Sequence, residues 1–297
     1  MQIAVLGSMN MDMVVESEVI PKPGETVQGK SIDYLPGGKG ANQAVAAAKL
    51  GGNVSMFACV GDDSAGEALI KNLQANNVNT ENIKKIKAVP TGTALITVGG
   101  GDNSIVVVAG ANEFVNADYV DSVKDKLLSA DIVILQNEIP EETNKYVIDL
   151  FHSNNKKILL NPAPARPLEH DLIAKLNYLT PNEHEAEMLF GDVQAITEAL
   201  KLYPQKLVVT LGKNGVIAAS DDNTKIKISA KKTTVVDTTG AGDTFNGAFA
   251  FCISSGETFE NALKFANIAA SVSVESYGAQ PGMPTYSQVK EAMELSE

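Results

Sequence analysis

The sequence predicts an α/β protein: a mainly parallel central sheet covered by helices, with a small β-sheet projecting from it as a lid. Three observations predict it. Short apolar, β-branched runs alternate with amphipathic helical stretches along most of the 297 residues. A strand begins almost at the first residue, so a core element forms at once. Two segments then break the alternation with turn and hairpin chemistry.

Taken in order, IAVL before Gly7 reads as a buried strand that ends at a turn. The helical ANQAVAAAKL precedes the strand NVSMFACV, and the helical SAGEALIKNLQANN follows it. DIVILQ, KKILLNP, LNYLT and KLVVTLG continue as strands with amphipathic segments between them, the rhythm of right-handed crossovers. The first interruption, about 11–36, holds MVV, ETVQG and SIDYL separated by Pro21, Pro23 and Gly24. The second, about 91–109, reads as a hairpin, TALITV and SIVVVA joined through GGGDN. Neither carries enough apolar surface to be a domain, so both are expected as lid strands over a site, with edge strands of the main sheet as the alternative. After Asp237 the pattern is helical almost to the end, interrupted by Pro281 and Pro284 before a last helix from about Thr285. With no repeat or linker, residues 1–297 are expected to form one domain.

Composition narrows the function. Hydrophobic residues at 44% and charged residues at 20% exclude a disordered chain. A net charge of −12 disfavours nucleic acid and anionic membrane as partners. No apolar run is long enough to span a bilayer and no export signal is present, so the expected location is the cytoplasm. Cys59 and Cys252 form no CxxC pair and are expected as buried thiols. His152, His170 and His184 lack metal-binding spacing and are expected on the surface.

The strongest local signal is VVDTTGAGDTFNGAFAFCIS, Val235 to Ser254. A β-branched run stops at Asp237, a small-residue turn runs through Gly240 to Gly242, and an apolar helix is expected from about Asp243. Unpaired amides beside the positive end of a helix dipole make an anion cradle. The spacing is neither a P-loop nor GxGxxG, which removes support for dinucleotide binding. Asp243 either caps the helix or serves as a base that takes a proton from an attacking alcohol. In PGGKGANQAVAAAKLG, Gly37, Gly38 and Gly40 permit unusual dihedrals while Lys39 and Asn42 offer donors to a polyhydroxyl ligand; a flexible turn into a packed helix is the plainer reading. Asn10 and Asp12 in GSMNMD, Glu138 in QNEIP and Asn161 in NPAPAR all follow predicted strands, at the carboxyl edge where α/β proteins build sites. Asn182 and Glu185 in TPNEHEAE fit a helix-capping pair equally well as a magnesium-organising role for the glutamate.

GGKGANQA, NPAPAR, TPNEHEAE, TLGKNG and DTTGAGDTFNGA occur in the order found in the PfkB-type, ribokinase-like carbohydrate kinases, and the chain resembles that family over essentially its whole length. The resemblance implies a three-layer α/β/α fold and ATP-dependent phosphorylation of D-ribose at O5 to give ribose 5-phosphate. It assigns sugar contacts to Asn10, Asp12, Gly38, Lys39, Asn42 and Glu138, and the general base to Asp243, with the amides of Gly240, Ala241 and Gly242 as anion hole. Nucleotide contacts fall on Asn182, Thr210, Gly212, Gly215 and Gly242, with Asn267 near the adenine where some members have His. Glu185 is associated with Mg2+ and phosphate. A monovalent cation, usually K+, would be held by Asp237, Thr239, Ser273, Ser276, Gly278 and Gly282, largely through carbonyls. In so acidic a chain, magnesium and local dipoles are expected to supply the positive potential that ATP requires. A homodimer through the lid is expected. The alternatives are another kinase of this fold, acting on deoxyribose, fructose or adenosine, and a non-catalytic sugar-binding protein. An aromatic content of 5% without Trp disfavours a base-stacking pocket.

Overall fold

The computed structural model describes residues 1–295, so the expected unit 1–297 ends two residues beyond them. The chain opens with β1 (Gln2–Leu6), β2 (Asn10–Ser17) and β3 (Gly29–Gly37), then α1 (Lys39–Lys49), β4 (Asn53–Gly61) and α2 (Ser64–Ala75). It continues through β5 (Asn79–Ile86), β6 (Gly92–Gly99), β7 (Asp102–Val108), α3 (Ala117–Leu128), β8 (Ile132–Gln136), α4 (Glu141–Ser153) and β9 (Lys157–Asn161). Next come α5 (His170–Lys175), β10 (Tyr178–Leu179), α6 (Glu183–Phe190), α7 (Val193–Leu202), β11 (Val208–Thr210), β12 (Val216–Ala219) and β13 (Lys225–Ile228). The helices α8 (Ala241–Ser254), α9 (Phe259–Ser273), α10 (Ala279–Gly282) and α11 (Tyr286–Glu294) close it.

The central sheet is six-stranded and parallel throughout, in the order β10-β9-β8-β1-β4-β5. Its inner strands β1, β4, β8 and β9 are apolar on both faces, and alternation decides which layer each residue joins. Ile3 and Val5 of β1 and Ile132 and Ile134 of β8 pack with α1, α2, α8 and α9. Ala4, Leu6, Val133 and Leu135 pack on the other side with α3, α4 and α7. Two hydrophobic layers with helices on both faces give the three-layer architecture.

A separate four-stranded sheet has the order β3-β2-β6-β7. The β6–β7 hairpin is antiparallel, β2 pairs antiparallel with β3, and β2 joins β6 in parallel. Of the stretch ETVQG only Gly29 lies in a strand, as the first residue of β3.

Three local expectations are corrected. KLVVTLG extends the parallel sheet only through isolated bridges, Leu179 to Leu207 and Asn182 to Thr210, and β11 then turns antiparallel into a third sheet with β12 and β13. The β-branched run before Asp237 forms no strand, because the Val236 and Asp237 amides both donate to the Val274 carbonyl rather than to a ladder. Helix α8 begins at Ala241, two residues before the expected start. Cys59 and Cys252 are buried, and the three histidines lie on the surface. No described helix is long and apolar enough to cross a membrane.

Candidate active site

Asp12, Lys39, Asn42, Glu138 and Asp243, singled out from the sequence, come together where carboxyl ends of the central strands meet the small sheet. The turn that leaves β1 carries Ser8, and its hydroxyl donates to Glu138 Oε2 at 2.5 Å, two residues past the end of β8. The Lys39 amide, at the start of α1, donates to the same oxygen at 3.0 Å. Gly38 makes that approach possible. It has φ +87, and a Cβ there would stand 2.7 Å from the Asn10 nitrogen, so the loop can lie on β2 only as glycine. Asn10 Oδ1 accepts from Asn112 Nδ2 at 2.7 Å, a partner the sequence reading missed because it lies 102 residues away in no motif.

Asp243 sits on the first turn of α8 and is only 6% exposed. Asn42 Nδ2 donates to its Oδ2 at 3.0 Å and Gln43 Nε2 to its Oδ1 at 2.9 Å, both from α1. Burial pushes the Asp243 carboxyl up, while Lys39 and the two amide donors oppose that shift. Asn42 is held in turn, since Gln280 Nε2 donates to its Oδ1 and Asn72 Nδ2 donates to Gln280 Oε1. A hydrogen-bonded chain therefore runs from α2 through α10 to Asp243.

Asp12, on β2, is pushed up to about 7 by burial first and then by Glu138 and Asp243, with Lys39 acting against them. Burial alone would lower the Lys39 ammonium, yet Asp243, Glu138, Glu185 and Asp12 outweigh it and raise it. One ammonium among four carboxylates holds the cluster together. It still leaves the pocket short of positive charge, which suits a ligand rich in hydroxyl donors.

The Asp12 shift has a measurable consequence. Its value in the folded protein lies above the unfolded value of about 3.9, so the folded state binds the extra proton between about pH 4 and pH 7. The stabilisation is full below the unfolded value and is lost as pH rises through about 7. Asp12→Asn is therefore expected to raise the melting temperature at pH 8 and to change it little at pH 4. Equal changes at the two pH values would contradict this account.

On the other side of Asp243, a cavity of about 540 Å3 is lined by Asn182, Thr210, Gly212, Gly215, Gly242 and Asn267, the six positions expected to contact nucleotide. Lys213, Lys231 and Lys232 also line it. The last two were not among the expected positions: three lysines border the cavity within a chain of net charge −12, although Lys231 Nζ lies 3.6 Å from Glu275 Oε1. The sequence reading passed over Lys231 and Lys232 because a basic pair in an aperiodic segment looks like solvated surface. Asn267 Nδ2 donates to the Ser229 carbonyl at 2.8 Å, tying α9 to the segment that carries the two lysines.

The turn before α8 has Gly240 at φ +77, a left-handed conformation at the helix N-cap. Among the described residues no protein group accepts from the Gly240 or Gly242 amides, whereas the Ala241 amide donates to the Thr238 carbonyl at 3.2 Å. Asn182 and Glu185 form a reciprocal capping box on α6, with Glu185 Oε2 accepting from the Asn182 amide at 2.9 Å. Burial raises the Glu185 carboxyl, opposed by that backbone bond and by Lys39.

The loops 236–239 and 274–282 lie side by side. Asp237 Oδ1 accepts from the Thr239 amide and hydroxyl, and its Oδ2 accepts from the Gly278 amide at 2.9 Å. Burial would raise Asp237, but these hydrogen bonds outweigh it and lower it. Gly282 lies so close to the Ser273 carbonyl that a Cβ would stand 2.4 Å from it, with the Ser276 carbonyl 3.5 Å away. Carbonyl and carboxylate oxygens, as these two loops carry them, are the ligand type that suits a hard cation.

An α/β protein that seats a buried carboxylate on a helix start, between a hydroxyl-seeking cluster and a lysine-lined cavity, is in class a small-molecule phosphotransferase. The chain belongs to the pfkB family of carbohydrate kinases, which it matches over residues 1–286. It therefore transfers a phosphoryl group to a sugar hydroxyl. It is 51% identical to ribokinase from Bacillus subtilis (strain 168) over 98% of this chain and 99% of that one. It is 35% identical to deoxyribokinase from Salmonella typhi, with 100% of each chain covered. The solved structure of Arabidopsis thaliana ribokinase complexed with ribose and ATP superposes with a TM-score of 0.88 at 34% identity, covering 98% of each chain.

Proposed function

We propose that this protein phosphorylates D-ribose at its 5-hydroxyl with ATP as donor. One observation carries the reading: the start of α8 joins the two halves of the site, since Gly242 lines the lysine-bearing cavity while its neighbour Asp243 is bonded to Asn42 and coupled to Lys39 and Glu138. The similarity to ribokinases, above all the one complexed with ribose and ATP, points to the same sugar.

In this reading Asn10, Asp12, Gly38, Lys39, Asn42 and Glu138 bind the sugar's hydroxyls and orient the 5-hydroxyl toward Asp243. Asp243 takes the hydroxyl proton as the oxygen attacks the γ-phosphorus in line. The Gly240 and Gly242 amides receive the charge that develops on the transferred group, and the Ala241 amide joins them by turning away from Thr238. Asn182, Thr210, Gly212, Gly215 and Asn267 seat the nucleotide, and Lys213, Lys231 and Lys232 attract its phosphates. The four-stranded sheet acts as the lid and excludes water.

Mg2+ bound to ATP would spread the charge of the phosphates, with Glu185 holding its waters; magnesium ordinarily keeps several waters and few protein ligands. A K+ ion would sit among the carbonyls of Ser273, Ser276, Gly278 and Gly282 beside Asp237 and Thr239, ordering the loops that abut the anion hole.

Alternation in the small sheet supports a homodimer through the lid. Tyr34 stands opposite Met13, Met13 opposite Leu95, and Leu95 opposite Val106. Asp12 has the opposite parity and points to the other face. Tyr34, Leu95 and Val106 are 59%, 46% and 58% exposed, an apolar row that a second copy would cover. The charge of −12 and the lack of a spanning helix among the described residues favour a cytoplasmic enzyme without nucleic-acid or membrane partners.

The test is ADP release with ribose, 2-deoxyribose, fructose and adenosine, each with and without K+. Ribose is expected to give the highest kcat/KM, and K+ to raise it. A higher value for deoxyribose or adenosine would reassign the acceptor, sugar binding without turnover would leave a non-catalytic protein, and indifference to K+ would remove the cation from the reading.

A further inference from the structure

Beneath Asp243 two glutamines, Gln43 of α1 and Gln136 at the end of β8, are fully buried. Gln43 Nε2 donates to Asp243 Oδ1 at 2.9 Å, and Gln43 Oε1 accepts from Gln136 Nε2 at 2.8 Å. The Gln43 carboxamide is thus fixed at both ends. Reversed, it would set Oε1 against the carboxylate oxygen, two acceptors in contact.

This direction leaves one atom orphaned. Gln136 Oε1 is buried without a hydrogen-bond partner, beside Gly7, where a Cβ would stand 1.9 Å from it. Buried acceptors are nearly always satisfied. Turning both amides over would satisfy this one from Gln43 Nε2, at the cost of the donor on Asp243. The fold keeps the orphan and the donor.

We propose that Gln43, oriented by Gln136, is a positioning residue that holds Asp243 Oδ1 so that the carboxylate stays ionised and aimed at the acceptor hydroxyl. The inference rests on the reading of Asp243 as general base. With Asn42 on Oδ2 and Gln43 on Oδ1, both oxygens are anchored to the same helix, and the carboxylate plane is set by α1 rather than by the substrate.

The test is Gln43→Met, which removes the donor at similar volume. Turnover is expected to fall about 10- to 100-fold, as for a slightly misplaced catalytic group, while KM for sugar and for ATP changes less than about threefold. The acidic limb of the kcat–pH profile should move up by about one pH unit, because the carboxylate has lost a bond that favours its charged form. Gln136→Met, which frees the Gln43 amide to turn over, should move the limb the same way by less. An unmoved limb in Gln43→Met overturns the proposal, whether or not kcat falls, since a purely structural loss would leave the profile in place. Should that variant fail to fold, the profile of Gln136→Met decides in its stead, and an unmoved limb again overturns it. Asp243→Asn is assayed alongside. If it retains turnover, the base assignment itself fails; if it is inactive and Gln43→Met keeps the wild-type profile, the positioning role alone fails.

Discussion

Asp243→Asn is expected to cut turnover by about 10²- to 10⁴-fold, the usual contribution of a positioned general base, while ribose affinity stays near the wild-type value. The geometry separates the two effects. Sugar binding in this site draws on Asn10, Asp12, Lys39, Asn42 and Glu138, which stand on β2, on α1 and after β8 rather than on α8. The substitution does disturb Asn42 and Gln43, both of which donate to the carboxylate. An amide in its place offers one acceptor to two donors, so one donor goes unpaired at a cost of about 1–3 kcal/mol. Removing a buried charge offsets part of that. The variant should therefore fold, bind ribose in calorimetry and fail in single-turnover assays with ATP. Turnover near wild type would remove the proposed base; loss of ribose binding together with turnover would assign Asp243 to recognition instead.

Gly247→Val is expected to damage both stability and catalysis, although position 247 touches no substrate in this reading. Gly247 lies one turn after Asp243, where α8 crosses α1. A Cβ there would meet the Ala46 Cβ at 2.6 Å, the Gln43 carbonyl at 2.7 Å and the Ala47 nitrogen at 2.9 Å. Two of these contacts are main chain of a helix, which cannot rotate aside. Replacing a helical glycine ordinarily gains up to about 1 kcal/mol of propensity. Overpacking costs about 1–3 kcal/mol and more against rigid neighbours, so the loss prevails. Relief requires α8 to move away from α1, and those are the helices whose contact fixes Asp243 to Asn42 and Gln43. A displacement near 1 Å is worth about 10²-fold in rate. Thermal melting should show destabilisation of about 3 kcal/mol or more, and kcat should fall further than 1/KM. A variant with wild-type stability and turnover would show that the helix contact tolerates separation.

The alternation of strands and helices was legible because the inner strands β1, β4, β8 and β9 are buried almost throughout as short apolar runs, while helices such as α2, α3 and α4 bury one side. The hairpin announced itself through its glycine-rich turn, and the helix start at Gly240 through its small residues and the carboxylate beside them. Other features left no such trace. The strands KIKI and NTENIKKI are short or mostly polar, and half-exposed edge strands resemble loops in composition. Val235 and Val236 have strand propensity but sit in a loop, at 60% and 58% exposure, because the backbone there is claimed by Val274. Asn112, Lys231, Lys232, Gln43 and Gln136 belong to the site by position alone. Asn112, Lys231 and Lys232 stand in no motif, and Gln43 and Gln136 stand inside GGKGANQA and QNEIP without a residue chemistry that marks them apart from their neighbours.

What the sequence by itself determined was the order of layers and the residues able to do the chemistry, since periodicity and local turn chemistry act over a few residues and survive without tertiary contacts. Only the tertiary structure decided which of those residues meet. Asp243 comes within 3.0 Å of Asn42, 201 positions earlier, because a glycine lets α8 lie against α1, and Glu138 reaches the Lys39 amide across 99 positions because β8 and β1 are neighbours in the sheet. Such contacts depend on how helices and strands pack at ångström range, and that depends on volumes and backbone approach summed over the whole core.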